Sequence, residues 1–247
     1  MRRLLAPAIA TLIVVVILCG LGVWQVERLG WKENLIAEVT TRMGAAAIPA
    51  PSPQAFSQAD PSTLEYQRVT VAGRYLNDHE AHVIYSLTEP KGPVGGVGYM
   101  VMTPLQTDAG WIVYVNRGFV PGPKADPSTR RDGLIEGETT VTGVIRLPVD
   151  RSWFMPGDNA AKNEWFSRDP ALYAAAYSLP SSDVAPYIID AVFDPALPGG
   201  LPQGGETIVD FPNNHLGYAL TWFGLAACAV GVFAAFAISR LRNPTAA

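Results

Sequence analysis

Cysteine is scarce in this chain: Cys19 and Cys228 are the only two in 247 residues, and both fall inside long apolar stretches at different depths. Neither a disulfide framework nor a cysteine metal site is therefore available to the rest of the chain. Histidine is limited to His79, His82 and His215. None belongs to an H-E-x-x-H motif, and no G-x-S-x-G elbow or P-loop occurs, so the hydrolase routes marked by those motifs are excluded. A basic surface is also lacking. All 22 acidic residues lie between the apolar stretches against 14 of the 18 basic ones, a net charge of −8 that fits no nucleic-acid partner.

Charge of either sign is missing from Leu4–Trp24 and from Leu216–Ile238. As helices rising about 1.5 Å per residue, the two stretches reach roughly 30–35 Å, enough to cross a hydrocarbon core of about 30 Å. The first also has the basic start of a signal peptide, but it runs to Trp24 without an A-x-A cleavage site, so it reads as a retained helix. The second is too long and too apolar for a buried core helix, and Gly224, Ala227 and Gly231 offer small surfaces for another helix. Arg240 and Arg242 follow the second span, whereas no Lys or Arg occurs from Asp169 to Ser239. The bias places the C-terminus in the cytoplasm, and two spans return the N-terminus, with Arg2 and Arg3, to the same side. The central part is then exported. Without an Arg- and Ser-rich presequence, a bacterial inner membrane with a periplasmic central domain is the expected setting.

The expected organisation is a cytoplasmic N-terminus at 1–3, a transmembrane helix at 4–24 and a juxtamembrane extension at 25–43. A linker at 44–64 leads to an exported β-rich domain at 65–214, a second transmembrane helix at 215–238 and a cytoplasmic tail at 239–247. The extension rests on Trp31, Leu35, Val39 and Met43 recurring at helical spacing; the linker rests on Ala, Pro and Ser. From Glu65 the period shortens towards two. Arg68–Tyr75, His82–Leu87, Val97–Leu105, Trp111–Val115, Thr139–Leu147 and Tyr187–Phe193 are predicted strands, with a hairpin turn at Asp108–Gly110. Pro170–Tyr177, opened by Asp169 as N-cap, is a predicted helix. The fold class is thus a membrane protein with two transmembrane helices flanking a mostly antiparallel β (α+β) exported domain, a small barrel or sandwich.

Few residues stand out chemically. Asp78, His79, Glu80 and His82 offer a weak metal site, or more simply a solvated polar turn; Glu136 and Glu138 read as a solvated loop face. Arg117, with Gly118 after it, reads as ending a strand, either as a partner contact or as a structural hydrogen-bonding group. Trp153, Phe154 and Trp165 read as core or rim aromatics. His215 lies at the outer boundary of the second span with Tyr218 and Trp222 at helical spacings. It either anchors that boundary with the aromatic belt or meets a lipid-soluble ligand. No nucleophile, base and orienter set is visible, so the chain reads as non-enzymatic.

Three segments carry a resemblance: Gly22–Lys32 (GVWQVERLGWK), Val115–Pro121 (VNRGFVP) and Asn213–Phe223 (NNHLGYALTWF). With Phe154–Asn159 and Trp165–Asp169 they are similar, in order and over essentially the whole chain, to the signature segments of the Surfeit locus protein 1 family. That resemblance implies a role in assembling haem-copper cytochrome c oxidase, assisting haem a delivery or insertion into the catalytic subunit. It implies oxidase subunit I and haem a synthase as partners, beside the lipid bilayer. It makes His215 a candidate axial ligand of haem iron. Tyr218, Trp222 and Trp24 would then cover the ring, Arg28 or Lys32 would meet a propionate, and Gln25 would bond across to the second helix. The alternative is a haem-independent scaffold that stabilises an oxidase subunit.

Overall fold

The computed structural model describes residues 2–206 and 211–242. Met1 and residues 243–247, parts of the two expected cytoplasmic ends, lie outside the described residues, as do the side chains of Arg2 and Arg3. The chain forms two units, residues 1–39 with 210–247 and residues 40–209.

The first unit is a pair of helices. α1 runs from Arg2 to Gly44, so the expected extension to about Met43 is a continuation of the same helix, its last turns belonging to the second unit. α5, the last helix of the chain, is His215–Arg242. Both are long and apolar enough to cross a membrane. Their large side chains remain outward-facing, with Leu12, Ile13, Val16 and Val232 all more than half exposed. A soluble core helix would bury such a set, whereas in a bilayer lipid takes water's place. The buried small residues of α5 are Ala219 and Ala226, on the face that starts at His215. Gly224, Ala227 and Gly231, expected to allow close approach, are exposed instead.

The second unit opens with β1 (Ile48–Pro49), α2 (Pro53–Ser57) and α3 (Pro61–Leu64). These elements occupy the stretch read as a linker. β1 pairs parallel to the next strand, Ser52 and Asp60 cap the two short helices, and Phe56 is buried with its ring stacked 5.0 Å from Tyr187. The partner ring lies 131 positions on, which is why local composition gave no sign of the contact. β2 (Arg68–Tyr75), β3 (Ala81–Leu87), β4 (Gly96–Thr107), β5 (Ile112–Pro121), β6 (Glu138–Arg146), β7 (Glu164–Trp165), α4 (Pro170–Ala176) and β8 (Val184–Ala191) follow. Asp169 caps α4 by accepting from Ala171 N–H at 2.9 Å, as its sequence foretold.

β2, β4, β5, β8 and β6 pair in that circular order, closing a five-stranded barrel. All its pairings are antiparallel except β5 with β8. β6 returns to lie beside β2, the first barrel strand, a Greek-key connection, and closure leaves the barrel itself no free edge. The expected class is borne out, with the barrel form selected. Where β2 meets β4, a Cβ on Gly73 would collide with the backbone of Gln106, so glycine lets the ring shut.

Two cores result. Val69, Val71, Leu105, Val113, Val115, Ile145 and Ile189 form one cluster, which Phe56 joins. Met100, Met102, Tyr114, Trp165, Tyr173 and Ile188 form another beside β3 and α4. β5 therefore buries both faces, Val113 and Val115 to one side and Ile112 and Tyr114 to the other.

Candidate functional site

The helix pair brings one polar constellation together. Gln25, on α1, is buried, and His215 opens α5. Nδ1 of His215 lies 2.7 Å from Oε1 of Gln25. An amide oxygen can only accept, so this contact puts the imidazole proton on Nδ1 and leaves the Nε2 lone pair for another partner. One helical turn before Gln25, Gly22 meets the ring of Phe223, which follows His215 by two turns. His215, Ala219, Trp222 and Ala226 fall on one stripe of α5 at helical spacing, and Trp222 is half-buried there.

The other residues singled out from the sequence disperse. Tyr218 is 56% exposed and Trp24 54%, both on outward faces. Arg28 lays its guanidinium 3.9 Å over the ring of Trp31 on its own helix. Lys32 sits 5.1 Å from the ring of Phe211, just ahead of α5. Of the candidate set, Gln25 and His215 touch, and Trp222 shares their face.

The barrel unit explains the remaining motifs as fastenings. Within β5, Val101 pairs with Gly118 but Met102 with Asn116, so Arg117 is the extra residue of a β-bulge, inside the strand instead of at its end. Asn116 Nδ2 donates to Asp190 Oδ1 at 2.9 Å, and Asn116 Oδ1 accepts from Gly118 N–H at 3.1 Å. Arg117 is buried and its Nη2 donates to the carbonyl of Gly133 at 2.5 Å, the structural role among its two readings. Gly118 has φ of +121°, and the backbone of Gln203 passes where a Cβ would sit. Asp158 joins the two later segments: its carboxylate accepts from Phe166 N–H at 2.6 Å, Ser167 N–H at 3.0 Å and Ser167 Oγ at 2.6 Å. Burial pushes its carboxyl pKa up, but those hydrogen bonds outweigh it and hold it below the ordinary value.

Two sequence readings change. The Asp78–His82 segment is not a solvated turn: Glu80 is buried, accepts from Arg130 Nη2 and lies 2.7 Å from His82 Nε2. Arg130 stands 50 positions away, so nothing local revealed the pairing. Among the described residues no three His, Cys, Asp or Glu side chains group to hold a metal ion. Of the three aromatics, Trp165 is core, whereas Trp153 is 91% and Phe154 68% exposed. The Glu136 and Glu138 side chains are exposed, as expected, the first in the loop before β6 and the second at the start of that strand instead of in the loop.

A closed β-barrel unit in the same chain as two candidate membrane-spanning helices, with His215 oriented between those helices, is the architecture of a membrane protein. A family model described as the SURF1 family matches residues 12–227. Surfeit locus protein 1 of Homo sapiens is 40% identical over 222 residues, covering 84% of this chain and 70% of the relative. That of Takifugu rubripes is 37% identical over 224 residues, covering 84% and 87%. A SURF1-like protein of Monosiga brevicollis is 32% identical over 231 residues, covering 91% and 85%. The chain belongs to the SURF1 family, known as cytochrome c oxidase assembly factors and not as enzymes.

Proposed function

We propose that this protein assists delivery or insertion of haem a into the catalytic subunit of a haem-copper cytochrome c oxidase, with His215 as a transient axial ligand. The observation that carries the reading is the Gln25–His215 contact at 2.7 Å. Metal-binding imidazoles are oriented by a hydrogen bond at the other ring nitrogen, and Gln25 supplies one. The donor set thus fits a single axial contact to the cargo's iron, with Trp222 offering apolar surface on the same stripe.

In this reading the chain's own residues do three things. Gln25 fixes the imidazole tautomer, keeping an acceptor nitrogen facing the cargo. The boundary position of His215 holds a lipid-soluble cargo without removing it from the bilayer. A single ligand without a sealed pocket keeps affinity modest, and a carrier has to release what it holds. Trp24, Tyr218 and Arg28 belong to the proposed site only as outer contacts, Arg28 leaving Trp31 to meet a propionate. The barrel unit docks oxidase subunit I or the haem a synthase from the periplasmic side of a bacterial inner membrane, with both chain ends in the cytoplasm; the positive-inside bias supports this orientation.

The test is an absorption spectrum of the full chain purified after co-expression with the haem a pathway, beside His215→Ala. A haem a band in the wild type that disappears in the variant supports the carrier. No band in either protein, with assembled oxidase still falling when the gene is removed, overturns it in favour of the haem-independent scaffold.

A further inference from the structure

A cavity of about 240 Å³ opens on the barrel unit between the ends of β2, β6 and β8, and Arg117 forms part of its wall. The volume is that of several water molecules and lies below the range of drug-sized pockets, so it suits a small organic molecule. Its composition is two-sided. Thr139, Thr140 and Thr142 line one side; Val192, Phe193 and Leu197 line another.

Arg117 is 5% exposed, and its guanidinium is only partly accounted for. Nη2 donates to Gly133, and the group stacks 4.7 Å from the ring of Tyr75, but Nη1 has no acceptor among the described residues. Charge is unbalanced as well. Arg130, also 5% exposed, lies within electrostatic reach, and its carboxylate partner Glu80 already serves His82. Two buried guanidinium groups thus share one carboxylate. Tyr75 does not make up the difference, because burial pushes its phenol pKa up to about 12 and it stays neutral. An unpaired buried cation is costly enough that structures neutralise it with a counter-charge. The cavity beside Arg117 is where such a charge can enter.

The lining also narrows the ligand. Arg117 places a single positive charge in the cavity wall, with Nη2 already committed to Gly133 and Nη1 closed off from open surface, so the site suits a singly charged group such as a carboxylate. The sole carboxylate of the lining, Asp194, is exposed and disfavours a multiply charged anion such as phosphate. The apolar side of the lining welcomes a hydrocarbon or aromatic body.

We infer that this cavity is a binding site for a small organic monocarboxylate with an apolar body, held by Arg117. The acidic exterior of the unit would then admit the anion only because a buried positive centre awaits it.

The experiment uses the full chain in lipid nanodiscs with benzoate as probe, and benzamide and inorganic phosphate as comparators, by saturation-transfer NMR and thermal shift. Benzoate should bind saturably and raise the melting temperature, and benzamide should bind roughly tenfold or more weakly for want of the charge. Arg117→Gln should abolish the preference. Thr140→Glu, at an exposed lining position where folding is not at risk, should abolish benzoate binding by repulsion. His215→Ala should leave it unchanged, which separates this site from the proposed haem contact. Equal binding of benzoate and benzamide, stronger binding of phosphate, benzoate binding that survives Thr140→Glu, or no saturable binding to the folded chain overturns the proposal and leaves Arg117 as a structural group solvated by water.

Discussion

Phe223 lies so close against Gly22 that a Cβ at position 22 would fall 2.7 Å from its ring. The two residues sit beside the Gln25–His215 pair, one helical turn and two helical turns away in sequence. Glycine at position 22 is thus a distance setting for the polar contact.

Replacing Gly22 with Val should force the ring aside and separate α1 from α5 at that level, at about 1–3 kcal/mol for overpacking. Engineered cysteines at positions 25 and 215, in a background with Cys19 and Cys228 replaced by Ala, should cross-link efficiently while Gly22 is kept and poorly once Gly22→Val is added. Equal cross-linking rates would show that the ring yields without moving the helices.

Gln25→Leu should leave His215 in place but without the partner that fixes its tautomer. If the histidine holds haem iron, affinity should fall about 10–100-fold, the usual effect of losing an orienting hydrogen bond. A titration followed by absorption spectroscopy measures it. Wild-type affinity in Gln25→Leu would remove Gln25 from the site.

Asp158 gives a pH-dependent prediction. Its carboxyl is held below the ordinary value of 3.8, so folding favours the ionised form. Its stabilisation is complete above that value and disappears as the pH falls from there through the lowered folded value. Asp158→Asn should destabilise the barrel unit by about 1–3 kcal/mol at pH 7, the scale for hydrogen bonds to a charged acceptor. Denaturant melts from pH 7 down to 3 should show the gap between wild type and variant shrinking towards the acid end.

Glu80→Ala removes the counter-charge of Arg130 and the partner of His82 together. Loss of one member of a buried pair costs about 3–5 kcal/mol. Chemical denaturation should give a midpoint far below that of a surface control such as Glu136→Ala. A change within experimental error would mean that water takes over the carboxylate's role.

What was legible in the sequence was local or periodic. β2 occupies Arg68–Tyr75, the stretch whose alternation announced it, and Asp169 caps the helix it precedes. Gly110 takes a positive φ in the turn read from Asp108 to Gly110. The bond from Gln25 to the second helix was anticipated by the family resemblance and by no local pattern. What escaped was set by distant partners. Phe56 looked like part of a Pro-rich connection because Tyr187 is far along the chain, and Glu80 looked solvated because Arg130 is supplied by another loop. Arg117 seemed to end β5 because glycine marks a bend and a bulge equally well; only the strand opposite tells them apart.

The near-complete exposure of Trp153 has a practical consequence for following this molecule at work. Of the tryptophans in the barrel unit, Trp165 is buried and Trp111 half-buried, whereas Trp153 stands in water with Phe154 edge-on 5.8 Å away. Acrylamide or iodide therefore dims one indole of that unit preferentially, while brominated lipids address Trp24 and Trp222, which lie within the two expected spans. The chain carries two optical reporters in different solvents, and a docking partner that covers the Trp153 loop would announce itself by shielding only the aqueous one.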